Sequence, residues 1–444
     1  MYVLYTALAT LGFLAASPYF LWRAVRHGKY LGSLGQRFGF LPISVNIDRE
    51  PSIWIHAVSV GEVLTTRALV GDLRARHPGL RVFLSTTTLT GQQVARARLS
   101  EADAIFYFPF DLPWVVDRLL DILRPRLFVM METEIWPNLL RACRRRGVRT
   151  MLVNGRISSR SYPRYRLVRP FFRRVLADID RCCMQSEESA RRIVALGADP
   201  SRVIVTGSLK FDSLDWPPPG SHAQGRDRVL RYFRVPDDRL VLVAASTLRG
   251  EERAVLAAFH RLRAERPGAL LILAPRHPER FAEVEGLARG EGFRVVRRTD
   301  LRVDAEPRAD VVILDTIGEL ARLFQVATLV FVGGSLVDAG GHNILEPAVF
   351  GKPIVFGPYM QNFAEIADTF LANAAAVQVA SADELGRVLG DLAADPVRRA
   401  SLGAAARALV EANRGAGART LAAIDELLPP RPRGAVVHPF RRMH

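Results

Sequence analysis

From Ser52 onward, short apolar runs alternate with longer stretches of mixed polarity. The runs SIWIHAV (52–58), RVFLSTT (81–87), AIFYFPF (104–110), RLFVMME (126–132), RTMLVN (149–154) and RVIVTGS (202–208) predict strands. They are almost continuously apolar, the pattern of strands covered on both faces. Helix-length segments separate them, such as GEVLTTRALVGDLRAR after the first run and DLPWVVDRLLDIL (111–123) before the fourth. Strands spaced by helices predict parallel βαβ construction.

The alternation breaks at DWPPPGSHAQGR (215–226), where three consecutive prolines and a polar, glycine-containing tract can continue neither a sheet nor a helix. It then restarts with LVLVAAS (240–246), ALLILAP (269–275), FRVVRR (293–298), ADVVILD (309–315), TLVFVGG (328–334), PIVFGP (353–358) and AVQVA (376–380). From Ala382 to Leu428 the chain is rich in alanine and arginine and reads as helix. The expected division is an N-terminal anchor (1–30), a first Rossmann-like domain (31–214), a linker (215–226), a second Rossmann-like domain (227–428) and a tail (429–444). Two such halves are expected to face a cleft, with ligands at the carboxyl ends of the strands.

The first stretch differs from the rest. Tyr2 to Trp22 is nearly all apolar and uncharged, and Arg23, Arg26, His27 and Lys29 follow it. Its length suits a bilayer crossing, and the basic residues after it place the remainder on the cytoplasmic side. No basic segment precedes the run, which argues against a cleaved signal peptide. Pro18 keeps open a helix lying in the membrane surface.

Composition narrows the field. With 49% hydrophobic and 24% charged residues in 444, the chain is globular, with room for two or three domains. Lysine and arginine number 61 against 45 acids, a net charge of +16 suited to anionic membranes, phosphorylated ligands or nucleic acid. The three cysteines, Cys143, Cys182 and Cys183, have neither zinc-ligand nor disulfide-framework spacing, which fits a reducing compartment.

The strand ends carry the candidate chemistry. The first run empties into Ser59-Val60-Gly61-Glu62. Glu62 is either a base for an acceptor hydroxyl or a first-turn acid favoured by the helix dipole. Glu132-Thr133-Glu134 puts two acids at the sheet's mouth, as chemistry or as dipole decoration before Pro137. Lys210 is either a neutraliser of a leaving phosphate or a solvated loop lysine. In the second half, Arg276 lies in a proline-bounded loop where a guanidinium can fork onto phosphate, while His277 suits a structural hydrogen bond as well as it suits a base. Nothing resembles a serine or cysteine nucleophile with its own base, nor an acidic metal pair at a strand end.

The most distinctive stretch is FVGGSLVDAGGHNILEPAVFGKP, Phe331 to Pro353, with four glycines in nine residues from Gly333 to Gly341. Asn343 is a suitable N-cap with Glu346 three residues on, so free N–H groups and a positive helix end are expected to attract phosphate there. The alternative is a tight turn in which Glu346 folds back on the cap.

Taken together, IHAVSVGE, METEIWPNL, NGRIS, GSLKFD, APRHPERF, GGSLVDAGGHNILEPA and GKPIVFGPYMQNF resemble the 3-deoxy-D-manno-octulosonic acid (Kdo) transferases of lipopolysaccharide assembly, in order and at similar spacing to about Phe363. The resemblance implies an inverting glycosyltransferase of GT-B architecture, α/β with two Rossmann-like domains. CMP-Kdo would be its donor and a lipid A precursor (lipid IVA) its acceptor. It would sit on the cytoplasmic side of a Gram-negative inner membrane. It further implies Glu62 as general base and Glu132 and Lys210 as transition-state stabilisers. CMP contacts fall on Pro275, Arg276 and His277, on Ile317, Gly318 and Glu319, and on Asn343, Ile344, Leu345 and Glu346. Ile317 stands where the family commonly has methionine, and Ile344 where it has proline; backbone contacts are expected to survive both. The resemblance implies no metal or cofactor and no nucleic-acid partner. The rival readings are another GT-B enzyme using a UDP-sugar, transferase or epimerase, and a basic membrane-tethered nucleic-acid binder. Against the second, the arginines are scattered through helices with no aromatic-basic stacking motif.

Overall fold

Strand β1 (Ser52–His56) sends Ile53 and Ile55 to one face of a sheet and Trp54 to the other, and all three are fully buried. That alternation, with both faces apolar, is what the continuous hydrophobic run requires. The structure is a computed structural model that describes residues 1–27, 31–158, 161–214, 239–301 and 308–428. The expected linker 215–226, the start of the second domain to 238, Lys29 and the tail 429–444 lie outside the described residues.

Two compact units form: Met1–Ser213 with the segment from Arg414 onward, and Leu214–Asn413. The first is built on seven parallel strands in the order β3-β2-β1-β4-β5-β6-β7. The strands after β1 are β2 (Arg81–Thr86), β3 (Ala104–Tyr107), β4 (Pro125–Met131), β5 (Arg149–Gly155), β6 (Arg181–Met184) and β7 (Val203–Val205). The second unit holds β8 (Val241–Thr247), β9 (Leu270–Pro275), β10 (Val295–Arg297), β11 (Val311–Ile313), β12 (Leu329–Val332), β13 (Ile354–Phe356) and β14 (Val377–Gln378). These too are all parallel, ordered β10-β11-β9-β8-β12-β13-β14. Every expected run contains a strand. β6, from the sequence RCCM, lies outside those expectations, being short and opened by an arginine.

In the first sheet the order reverses between β1 and β4, and in the second the chain likewise departs to either side of β8, between β8 and β12. At such a reversal the flanking loops diverge and leave a crevice at the strand carboxyl ends. The loops there are 57–62 and 132–136 in the first unit, and 246–251 and 333–344 in the second.

Two expectations need correction. The first concerns α1 (Tyr2–His27): among the described residues, no helix is long and apolar enough to cross a membrane. Thr6, Thr10, Gly12 and Ser17 dilute the run, and its first turns dock on the globular body. The Tyr2 hydroxyl donates to Asp178 at 2.8 Å and the Tyr5 hydroxyl to Asp111 at 3.0 Å. Asp111 is itself buried and accepts the backbone N–H groups of Asn138 and Leu139. Phe13 packs against Phe38 and Phe110.

The second correction concerns the C-terminal helices, expected to stay with the second domain. The last of them, Ala416–Leu427, packs on the first unit. Leu421 and Ile424 bury among Ile53, Val63 and Leu84, worth roughly 2 kcal/mol each. Asp212 accepts the N–H groups of Gly415 (2.8 Å) and Gly417 (2.6 Å), and Arg419 donates to the carbonyl of Thr206.

Candidate active site

Helix α2 (Val60–Arg76) begins directly after β1, with Ser59 as its N-cap in extended conformation. The Ser59-x-x-Glu62 spacing closes a capping box. The Ser59 hydroxyl donates to Glu62 Oε1 at 3.0 Å, and the Val58 N–H donates to Oε2 at 2.9 Å. Glu62 therefore does cap its helix, but this does not remove it from the chemistry. Burial raises its pKa to about 7, the bonds from Val58 and Ser59 partly oppose the shift, and the charges of Glu132 and Glu134 add to it. A carboxyl poised near neutrality is suited to take a proton from a hydroxyl.

Glu132 follows β4, across the strand-order reversal. Its φ of 54° is left-handed, which costs a non-glycine residue on the order of 1 kcal/mol. Its N–H bonds the carbonyl of Val153 at 2.9 Å, fixing the kink. Glu134 accepts from the indole of Trp136 at 3.0 Å and lies 3.6 Å from Nε2 of His56. His56 is fully buried and stacks on Phe108, and burial lowers its pKa, keeping it neutral. The motif residues Glu62, Glu132 and Glu134 are thus brought together, with His56 behind them. Neither hydrophobic pattern nor motif singled out His56; an interior histidine in an otherwise apolar strand is the one signal it leaves.

Lys210 sits in the turn after β7. That turn is held by Asn154, another left-handed residue (φ 57°), whose Oδ1 accepts the N–H of Leu209 at 3.0 Å.

In the second unit the glycine loop is present, and part of its backbone is engaged within the protein. Helix α3 (Glu251–Glu265) begins after β8, and the fully buried Glu251 turns its carboxylate into the loop. Oε2 accepts the N–H groups of Gly334 (2.7 Å) and Leu248 (2.8 Å); Oε1 accepts those of Ser335 and Leu336, both at 2.9 Å. These backbone donors serve an internal anion and are not available to a phosphate. The glycine at 333 has a packing reason, since a Cβ there would lie 2.7 Å from the carbonyl oxygen of Ser246. The helix after the loop, α4 (Leu345–Val349), has only five residues, too few for a strong dipole. Asn343 closes a local turn: its Oδ1 accepts from the N–H of Leu345, and its Nδ2 donates to Glu346 Oε1, each at 3.0 Å.

Positive charge comes from elsewhere. Arg276 and His277 are exposed just past β9, and the Arg276 N–H bonds the carbonyl of Thr247. Burial lowers the pKa of His342 to about 4, with the neighbouring Arg276 and His277 adding to the shift, so this ring is neutral. Its Nε2 is buried with no hydrogen-bond partner among the described residues. Ile317 and Gly318 are exposed, and Glu319 accepts from Thr316 and pairs with Arg298 at 3.1 Å. Arg276, His277 and His342 therefore form one group, and Pro275 ends the strand that carries it. Ile344 and Leu345 are fully buried.

Known proteins resemble this chain. Residues 32–213 match the family model for 3-deoxy-D-manno-octulosonic-acid transferase (kdotransferase). The chain is 33% identical to the 3-deoxy-D-manno-octulosonic acid transferase of Haemophilus influenzae, over 90% of this chain and 92% of that one. It is likewise 33% identical to the enzyme of that name from Bordetella pertussis, over 92% and 95%. Among solved structures, a UDP-GlcNAc 2-epimerase from Neisseria meningitidis superposes with a TM-score of 0.56 at 12% identity, over 85% of this chain and 99% of that one. A glycosyltransferase from Rickettsia africae gives 0.55 at 12%, over 86% and 99%. At that identity these two establish only the architecture, which is GT-B-like. The coverage and identity of the sequence relatives go further: the chain belongs to the 3-deoxy-D-manno-octulosonic acid transferase family.

Proposed function

We propose that the protein transfers Kdo from CMP-Kdo to lipid IVA, a lipid A precursor, with inversion at the anomeric carbon and Glu62 as the general base. Glu62 takes the proton of the acceptor hydroxyl, whose oxygen bonds the anomeric carbon as the bond to the CMP phosphate breaks. The proton ends on Glu62 and the electron pair on the departing CMP. One base and no enzyme nucleophile suffice for such a displacement. The observation that carries the reading is the place of the Glu62 carboxylate, held by the Ser59 hydroxyl and the Val58 N–H at the strand-order reversal, where burial favours its protonated form.

Lys210 and Glu132 act on the developing charge, and Arg276 with His277 meets the phosphate of the donor. Asn343 through Glu346 and Ile317 through Glu319 contact the rest of CMP. A single phosphodiester asks for less neutralisation than a diphosphate, so side chains can supply it.

We further propose that α1 rests in the surface of the inner membrane on its cytoplasmic side. Val3, Leu4, Leu8, Leu11 and Leu14 are exposed along it, and Phe40, Ile43 and Trp114 are exposed on the same unit. This pattern supports a lipid-facing helix better than a water-facing one.

Titration calorimetry with CMP and UDP tests the donor assignment. CMP is expected to bind at least tenfold more tightly, and Arg276→Ala to weaken it by a similar factor. Equal affinities, or preference for UDP, would return the protein to the UDP-sugar enzymes whose fold it shares.

A further inference from the structure

We propose that the adjacent acids Glu251 and Glu252, at the start of α3, are positioning residues that jointly set two loops of the donor site, 275–280 and 334–343. The inference rests on the donor assignment above. Glu251 takes four backbone N–H groups and so holds residues 334–336, from which the chain leads to His342 and Asn343. Ser335 is locked from the other side. Its hydroxyl accepts the N–H of Gly357 at 2.8 Å, and a Cβ at Gly357 would lie 2.2 Å from the Ser335 carbonyl oxygen.

Glu252 reaches the other loop. Its carboxylate pairs with Arg280 Nη1 at 2.6 Å, both side chains being buried. Arg280 follows Arg276 and His277 by one short turn, its N–H bonding the His277 carbonyl at 3.0 Å. Arg280 also bonds Glu283, which accepts from Arg249 in the segment leading into α3. Two neighbouring carboxylates on one helix turn therefore tie the strand β8 exit to two of the three segments that carry donor-contacting residues.

A buried carboxylate accepting four N–H groups cannot be replaced by an amide without conflict. A glutamine has one acceptor oxygen, and its NH₂ would face two N–H donors. Removing Arg280 leaves the buried charge of Glu252 uncompensated, and removing Glu252 leaves Arg280 only the more exposed Glu283. The loops would then lose their arrangement while the catalytic acids of the first unit remain untouched.

The test uses the full-length protein carrying Glu251→Gln, Glu252→Gln, Arg280→Met or the last two together. Three quantities are read: the CMP dissociation constant, the KM and kcat for CMP-Kdo, and hydrogen–deuterium exchange over 275–283 and 333–346. For Glu251→Gln we expect the CMP Kd and the donor KM to rise tenfold or more, with kcat at saturating donor within threefold of wild type and exchange faster at 333–346. Glu252→Gln and Arg280→Met should each raise Kd severalfold and speed exchange at 275–283, and the double variant should be no worse than the more severe single one. Should Glu251→Gln not fold, the Glu252–Arg280 cycle decides. A folded Glu251→Gln with wild-type Kd and KM overturns the proposal, as does a loss confined to kcat, or a double variant equal to the product of its singles. If the wild type binds no CMP, the donor assignment fails by itself, and a Glu251-dependent exchange pattern would still mark that acid as the holder of the loop.

Discussion

The ionisation of Glu62 is set by opposed contributions, and removing one of them should move the pH profile by a calculable amount. In Ser59→Ala the hydroxyl that donates to Oε1 at 3.0 Å is lost, while the Val58 N–H on Oε2 remains. That bond favours the ionised form, so its loss raises the pKa. A hydrogen bond to a charged group is worth about 1.5–3 kcal/mol. Solvent can replace part of it at this half-buried position, leaving about 1.4 kcal/mol, or about one pKa unit. The acid limb of kcat/KM should therefore move from about 7 to about 8. At pH 7 the ionised fraction falls from about one half to about one tenth, a loss of about fivefold in kcat/KM that vanishes above pH 9. The lost N-cap costs about 1 kcal/mol of stability as well, so rates are measured well below the melting temperature. Initial-rate assays from pH 5.5 to 9.5 with limiting donor read the limb directly. An unmoved limb, or a loss of equal size at every pH, would refute the assignment of that limb to Glu62.

Other consequences follow from the same contacts. Because burial holds the folded pKa of Glu62 near 7, above its ordinary value, the native state binds the proton more tightly than the unfolded chain, and stability falls as pH rises from about 4.5 to about 7. Glu62→Gln keeps the capping box and carries no charge, so at pH 8 it should stabilise the first unit by on the order of 2 kcal/mol, about 4 °C in its melting transition, and have no effect near pH 4.5. Calorimetry at the two pH values checks this, and a destabilised variant at pH 8 would contradict it. Leu4→Glu with Leu8→Glu puts charge on exposed positions of α1 and should release the protein from anionic phospholipid vesicles in flotation assays while leaving CMP affinity unchanged; continued flotation would remove α1 from the membrane contact.

The alternation of strands and helices was legible because buried parallel strands are written as near-continuous apolar runs. β6 escaped because RCCM carries two cysteines and an arginine in only four residues. The return of the last helix to the first unit was hidden by uniform composition, although Asn413-Arg414-Gly415 marks the break and Gly415 adopts a left-handed φ of 85°. For the site, Glu62 was visible as a residue, but its two readings proved compatible: it caps the helix and is also raised toward neutrality. That rise comes first from burial and then from Glu132 and Glu134, which the chain brings near only by crossing the sheet. What holds the glycine loop was hidden for a related reason. The N–H groups of Gly334, Ser335 and Leu336 meet the carboxylate of Glu251, some eighty residues earlier, in a sequence that reads as ordinary first-turn acidity.

The most direct test of Glu62 as the base is the mass of the product. Purified wild-type protein incubated with CMP-Kdo and lipid IVA should yield acceptor heavier by one or more Kdo residues, together with free CMP. Glu62→Ala, shown to be folded and to bind CMP as the wild type does, should yield almost none. Turnover by that variant at the wild-type rate would contradict the account.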